Sequence, residues 1–393
     1  MAKPISVPSK RAQLAIAGVK GLYKVPRVQR LSLNADNPVN IVDEIGNRSH
    51  AGQTKDVPNV TLSFTRNDEG SIKLWAALTG TDATSYPAEG VDVSQLKEFD
   101  AVLYTKSDVV DDYAKSVSSR RMRVQSVALN YGVDSEATED YTAVGTKRRV
   151  TSNDVIIDTF VTGTTSFTLS QTPIQLKNGE YAISAILDGV YLKEVSTVPA
   201  TGEYRISGTT LTTGDARTSQ LVVAYLANPT GENWSDISEP NFPAAVMGKD
   251  IPIQISANSI PRVQSVTINA NLNPRAVIEM GNADKIVGYQ VDVPQVEGTI
   301  TVLDTDTELV SLFTNGTISG TEWSMGEGCY TATLALEVKV LDPCTRNVLK
   351  TVYLDSIEPV GDAYSVNVNG DAQLAINFRS VTGHLVIYSG ERA

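Results

Sequence analysis

Polar and apolar positions along this chain alternate with a period of two in many short runs, the signature of half-buried strands. Val60, Leu62 and Phe64 alternate with polar neighbours, and Val296, Ile300 and Val302 hold the same phase with Gly298 between them. A short helix is predicted after each run. After the first, Asn67 or Asp68 is the candidate cap, Ile72, Leu74, Trp75 and Leu78 form the apolar side, and Gly80 ends it. After the second, Thr305 and Glu308 make a capping-box pattern, Leu309, Val310, Leu312 and Phe313 are apolar, and Gly316 ends it. Helices this short do not stand alone, so each must pack on a sheet.

The two runs belong to an internal repeat. Val-Pro-Arg-Val-Gln-Arg-Leu-Ser-Leu-Asn-Ala at 25–35 meets Ile-Pro-Arg-Val-Gln-Ser-Val-Thr-Ile-Asn-Ala at 260–270, an offset of 235. Glu44-Ile45-Gly46-Asn47 meets Glu279-Met280-Gly281-Asn282 at the same offset, and Asp56-Val57-Pro58 meets Asp292-Val293-Pro294 at 236. Gly80 and Gly316 are also 236 apart. Four collinear blocks define two copies, over 25–80 and 260–316. Beyond them the match fades, with Gln125-Ser126-Val127 set against Asp355-Ser356-Ile357 at a shifted offset. In each copy a long polar excursion, 36–55 and 271–291, separates the first strand from the second. Excursions of that length are functional or disordered.

Residues 151–230 have no counterpart in either copy. Strands are predicted at 155–157, 166–169, 181–187, 204–206 and 221–226, with a hairpin signal at Asp188-Gly189 and a strand and turn over 208–214. They read as an inserted small β-sandwich, followed by a Pro- and Gly-containing linker over 227–247. The expected organisation is a first domain at 1–150, the insert and linker at 151–247, and a second domain at 248–393.

Thr, Ser, Val and Gly are plentiful, which favours β structure. The net charge of −12 argues against a duplex-binding surface. It is unevenly spread: residues 1–30 carry Lys3, Lys10, Arg11, Lys20, Lys24, Arg27 and Arg30 and no acid. A basic arm on an acidic body suggests self-assembly, against the plainer reading of a solvated tail. There is no transmembrane run, and Leu14–Val19 is too short for a signal-peptide core, so folding in a cytoplasm is expected.

Strand, long polar loop, alternating strand and short Gly-terminated helix together resemble the tail tube protein family of long-tailed bacteriophages. The residues that carry the resemblance are Asp56-Val57-Pro58, Leu74-Trp75-Ala76-Ala77-Leu78-Thr79-Gly80 and Leu309-Val310-Ser311-Leu312-Phe313-Thr314-Asn315-Gly316. It covers the two copies, about two thirds of the chain. The middle segment resembles β modules that decorate phage structural proteins. The resemblance implies two tube-like sandwich or barrel domains, each with a flanking helix, in rings of six domains built from three chains. Inner sheets of such rings join around a lumen that passes DNA without sequence-specific binding, and an acidic lumen would keep DNA from adhering. The loops 36–55 and 271–291 become assembly contacts, with Glu44, Gly46, Asn47, Asp56, Glu279, Gly281, Asn282 and Asp292 as candidates beside arm residues Lys3, Lys10, Arg11 and Lys20. Other copies of the chain, a tape measure protein inside and a sheath protein outside are the implied partners. The implied location is the virion tail, assembled in the host cytoplasm, with no membrane and no cofactor. The alternatives are a distal tail or baseplate hub component and a glycan-binding virion protein whose insert presents Tyr181, Tyr191, Tyr204 and Tyr225.

Catalytic chemistry finds little support. The only histidines are His50 and His384, far apart in sequence, so a Ser-His-Asp triad or a histidine metal site is not expected. No phosphate-binding or dinucleotide-binding glycine motif occurs. Asp108, Asp111 and Asp112 read as a solvated turn, and Asp134, Glu136, Glu139 and Asp140 as surface charge. Arg120, Arg121, Arg123, Lys147, Arg148 and Arg149 are expected to pair with acids on a neighbouring subunit. Cys329 and Cys344 lack metal spacing and are expected to be reduced and partly buried.

Overall fold

The computed structural model describes residues 12–19, 21–36, 38–42, 52–55, 58–80, 90–106, 114–161, 163–176, 181–187, 189–214, 220–228, 246–280, 286–303, 334–366 and 371–392. The chain is mainly β, with one α-helix among the described residues. The first half contains β1 (Ala12–Gly18), β2 (Gly21–Lys24), β3 (Val28–Asp36), β4 (Val39–Val42), β5 (Gly52–Lys55) and β6 (Asn59–Asn67). It continues with α1 (Lys73–Thr79), β7 (Val91–Asp92), β8 (Phe99–Lys106), β9 (Ala114–Gly132), β10 (Thr138–Gly145) and β11 (Lys147–Thr151). The insert holds β12 (Asp154–Phe160), β13 (Ser166–Thr168), β14 (Ile183–Leu187), β15 (Val190–Tyr191), β16 (Lys193–Glu194), β17 (Glu203–Ser207), β18 (Thr210–Thr213) and β19 (Leu221–Ala227). The second half begins with β20 (Ile253–Ile255), β21 (Asn258–Ser259), β22 (Val263–Asn271), β23 (Arg275–Ile278) and β24 (Ile286–Gln290). It ends with β25 (Gln295–Leu303), β26 (Leu334–Leu341), β27 (Val348–Ser365), β28 (Gln373–Ser380) and β29 (Leu385–Ser389).

One antiparallel run crosses both halves in the order β3-β6-β10-β9-β22-β25-β28-β27. Strands β9 and β27 each serve two layers. The start of β9 lies between β8 and β11, and its end lies between β10 and β22. Arg121, at a positive φ of 51°, stands where β9 changes layer. The start of β27 lies between β26 and β29, and its end pairs with β28. The second layer is β2-β1-β8 with the start of β9 and β11 in one half, and β21-β20-β26 with the start of β27 and β29 in the other. A single apolar core fills the space between the layers and runs through both halves. The eight-stranded run is open, with no barrel closed among the described strands. Its outer edges are β3 and the end of β27.

The halves share details finer than strand order. Pairing of β3 with β6 shifts by a bulge between Val28 and Arg30, and pairing of β22 with β25 shifts between Val263 and Ser265, 235 residues on. Arg27 and Arg262, each after a proline, take positive φ of 55° and 57°. Their carbonyls accept from the Asn67 and Leu303 amides at 3.2 and 3.1 Å, and from the Gln29 and Gln264 side chains at 3.3 and 3.2 Å. A Pro-Arg turn thus closes both bulges identically. The end of β9 bulges between Ser126 and Val124, and the end of β27 between Gly361 and Pro359, again 235 apart. That register aligns Gln125 with Val360, so the sequence match of Gln125 with Asp355 is corrected by five residues. Bulges decide the alignment, because side-chain identity there has been lost.

Two further expectations are corrected. The polar excursions are not plain loops: each contains a hairpin, β4–β5 and β23–β24. Helix α1 starts after Ile72 with no side-chain cap, although Gly80 ends it at φ 80° as expected. Asp68 instead accepts from the Gly70 amide at 2.8 Å and faces Lys350. The second predicted helix, at 305–316, lies outside the described residues.

The insert is formed by two four-stranded sheets, β12-β19-β14-β15 and β13-β18-β17-β16, around their own core of Phe167, Leu169, Ile183, Leu187, Tyr204, Leu211, Val223 and Tyr225. It rests on the second layer of the first half, where Ala17 of β1 packs with Ile186, Val222 and Ala224.

Candidate assembly surface

The junction between halves is a strand pairing. Val266, Thr267, Ile268, Asn269 and Ala270 of β22 lie opposite Tyr131, Asn130, Leu129, Ala128 and Val127 of β9. Val266, Ile268 and Ala270 are buried there, as are Val127, Leu129 and Tyr131. Alternation places these six on the core side and leaves Thr267, Asn269 and Asn130 on the open side.

Behind the junction lies a buried ionic cluster. Lys350 of β27 donates to Asp68, and to Glu139 of β10 at 2.8 Å. Arg66 of β6 donates to the other Glu139 oxygen at 2.7 Å, and so does the Tyr141 hydroxyl at 2.8 Å. The side chains of Arg66, Asp68, Glu139 and Lys350 are fully buried. Burial alone would raise the Glu139 carboxyl, but the Arg66 and Lys350 charges outweigh it and hold the group well below the usual carboxylate range. Burial likewise opposes the Lys350 ammonium, and Asp68 and Glu139 overcome that and push it well above its usual value. The expectation that Glu139 is surface charge is therefore corrected. Its alternation phase with Tyr141 and Ala143 points it into the core, where one lysine of the second half holds two carboxylates of the first.

A weaker contact also joins the halves. His384 Nδ1 lies 2.7 Å from the Asp92 carboxylate, and β29 pairs with β7 beside it. The hydrogen bond to Asp92 raises the His384 value, against a small opposing effect of burial. A raised folded value adds stability that is complete below about pH 6.5 and is lost as pH rises through the folded value. The imidazole is mostly exposed, so the gain is no more than about 0.5 kcal/mol after solvent screening. His384→Gln should remove this slope between pH 6 and 8 in thermal melts. An unchanged slope would place the titration elsewhere.

Of the basic residues expected to meet a neighbouring subunit, Arg120 and Arg121 instead hold the insert. Arg120 donates to the Ser184 hydroxyl and the Ile183 carbonyl. The Arg121 guanidinium lies 4.9 Å from the centre of the Tyr191 ring. Tyr191 donates to Asp100, which also accepts from the Arg121 amide at 3.0 Å. Tyr191 thus helps attach the insert, and Tyr204 is buried in the insert's core. Arg148 reaches back to the outermost strand, donating to the Leu33 carbonyl at 3.2 Å.

Of the assembly-loop candidates, Glu279 is exposed beyond the tip of β23. Asp292 is half-exposed and pairs with Arg275 at 3.2 Å. Glu44, Gly46, Asn47, Asp56, Gly281, Asn282, Lys3, Lys10, Arg11 and Lys20 lie outside the described residues, as do His50, Cys329, Asp108, Asp111 and Asp112. Cys344 is exposed, not partly buried, in a turn where its amide donates to Asp342 at 2.8 Å. The hairpins present a feature that charge-based reading missed: Val39, Ile41, Val277, Ile278 and Met280 are exposed apolar side chains on them. Grouped apolar exposure of this kind marks contact surface.

The open face of the eight-stranded run is a hydroxyl and amide surface. Ser63 meets Thr142 at 3.4 Å, Asn130 donates to Asp140 at 2.8 Å, and Thr299 donates to Asn377 at 2.7 Å. Charges on it are of both signs, Arg30 and Arg379 beside Asp36, Asp140, Glu297 and Glu358, the last paired with Arg379 at 3.6 Å. Among the described residues no group of three or more His, Cys, Asp or Glu could hold a metal ion. No described helix is long and apolar enough to cross a membrane. No protein-family model matches the chain, and no curated protein does.

Proposed function

We propose that this chain is a structural subunit of a bacteriophage tail tube, with two copies of the tube-building domain, assembling as three chains per pseudo-hexameric ring. The observation that carries the reading is the eight-stranded run itself. One arrangement occurs twice, side by side, joined edge to edge with a matching register. A unit that already repeats itself head to tail and ends in open edges will continue the repeat, closing into a ring if the rotation allows and winding into a filament if it does not.

Eight strands from each of three copies, about 4.8 Å apart and tilted about 40°, close at a backbone radius of about 24 Å. Side chains cannot fill a barrel that wide, so a channel remains. The insert lies behind the second layer, opposite the open face, and so projects outward when that face lines the channel. Such a lumen is only mildly acidic, with Asp36, Asp140, Glu297 and Glu358 against Arg30 and Arg379. Ser, Thr and Asn side chains, already bonded to one another, offer passing DNA neither cations to bind nor strong repulsion.

The test is electron microscopy of the purified chain over a concentration series. Stacked hollow tubes with a bump on each subunit support the reading. Single threefold rings that never stack identify a distal tail component instead, and dispersed monomers at all concentrations overturn both.

A further inference from the structure

The geometry points to the strands and the register by which one chain joins the next: β3 of one copy pairs antiparallel with the end of β27 of another, opposing Leu31 to Val366, Ser32 to Ser365, Leu33 to Tyr364 and Asn34 to Ala363. The register is the internal junction carried outward. Strand β3 corresponds to β22 at an offset of 235 through the shared bulge and turn. The end of β27 corresponds to the end of β9 at the same offset through their pairing with β28 and β10. Shifting each side of the β9–β22 pairing by 235 gives the pairs above. The second copy as occupant rests on the ring-forming reading; the register rests on the strand pairings alone.

Exposure agrees with this assignment. Tyr364 and Val366 are 60% and 65% exposed, whereas their counterparts Leu129 and Tyr131 are 0% and 3%. Leu31 and Leu33 are half-buried where Val266 and Ile268 are fully buried. Each outer edge therefore shows apolar side chains at the positions that the internal junction covers. No described strand pairs with the outer side of either edge. The positions depart at one place: Asp362 stands where the junction has Val127. In the carried-over register Asp362 opposes Ala35, two residues from Leu33, whose carbonyl holds Arg148. Arg148 of one copy is thus placed to face Asp362 of the next, a charge pair that the internal junction lacks and that favours chain-to-chain joining over other edge contacts.

Cysteine pairing tests the register. In a chain with Cys329→Ser and Cys344→Ser, Ser32→Cys with Ser365→Cys should form disulfides between chains under mild oxidation, because directly opposed residues fall within disulfide reach. The products should stop at a covalent trimer. The two-residue slip, Ser32→Cys with Ala363→Cys, should cross-link at least tenfold less. Preference for the slipped pair, or no cross-link in either pair while rings are visible by microscopy, overturns the register and leaves the tube reading standing. Efficient cross-linking of the first pair without rings or tubes supports the register and removes the tube. A second variant needs no cysteine: Tyr364→Lys should leave the monomer melt unchanged and raise the concentration for half-assembly at least tenfold. Unaltered assembly of that variant overturns the proposal.

Discussion

Replacing Lys350 by Met is expected to lower stability by about 3–5 kcal/mol, the usual consequence of removing one partner from a buried ionic group. The ammonium lies against Asp68 and 2.8 Å from Glu139, with all three side chains out of water. Arg66 still serves Glu139 in the variant, but Asp68 is left as a buried carboxylate facing a thioether. The main thermal transition should fall by about 4–8 °C, at about 1.5 °C per kcal/mol for a cooperative unit of this size. Adding Asp68→Asn should recover part of the loss, since the orphaned charge is then gone. A change below about 1 kcal/mol would mean that water reaches the cluster. The same cluster sets a pH window. Glu139 is depressed, so its contribution is present above the unfolded value near 4.5 and is lost as pH falls below it. Lys350 is raised, so its contribution is present below 10.5 and is lost as pH rises above it. The cluster's contribution should be flat from about pH 5 to 10, leaving only the small His384 slope inside that window, and Lys350→Met should flatten the alkaline limb.

Gly298→Leu is expected to be about as damaging alone, and to be relieved in part by a second change that is itself harmful. A Cβ at Gly298 would lie 2.2 Å from the Thr267 carbonyl oxygen and 2.4 Å from the Phe378 ring. Phe378 is directly opposite on β28. At the matching place in the first half, Leu62 stands opposite Ala143. The same layer is filled by a large residue on one strand there and on the neighbouring strand here. Gly298→Leu should cost about 3 kcal/mol or more through overpacking, and Phe378→Ala about 3–5 kcal/mol through the cavity it leaves. Combined, they recreate the first-half pair and should cost at least about 2 kcal/mol less than their sum. Additive losses in denaturant titrations would show that the two halves do not pack equivalently, and would weaken the tube proposal with them.

Much of this was legible in the chain before folding. The alternation of Val60, Leu62 and Phe64 predicted a strand face that is indeed buried, and Gly80 marked the end of α1 because only glycine takes its left-handed conformation cheaply. The paired Pro-Arg-Val-Gln blocks located two segments that share a turn and a bulge. A local cluster of acids misled once: Glu139, expected on the surface, lies in the core, where its alternation with Tyr141 and Ala143 puts it.

The sequence by itself determined the alternating strands at 60–64 and 296–302, the main strands of the insert, and where the two related blocks begin, because periodicity and turn residues act over a few neighbours. Only the tertiary structure decided that β9 and β27 bend through two layers, that Val360 rather than Asp355 matches Gln125, and that Lys350 reaches Asp68 across 282 residues. Register and ion pairing join positions far apart in sequence, and no local pattern encodes which carboxylate a lysine will meet. The outer edges belong to the same class: β3 and the end of β27 stand out only once their equivalents at the junction are seen to be buried.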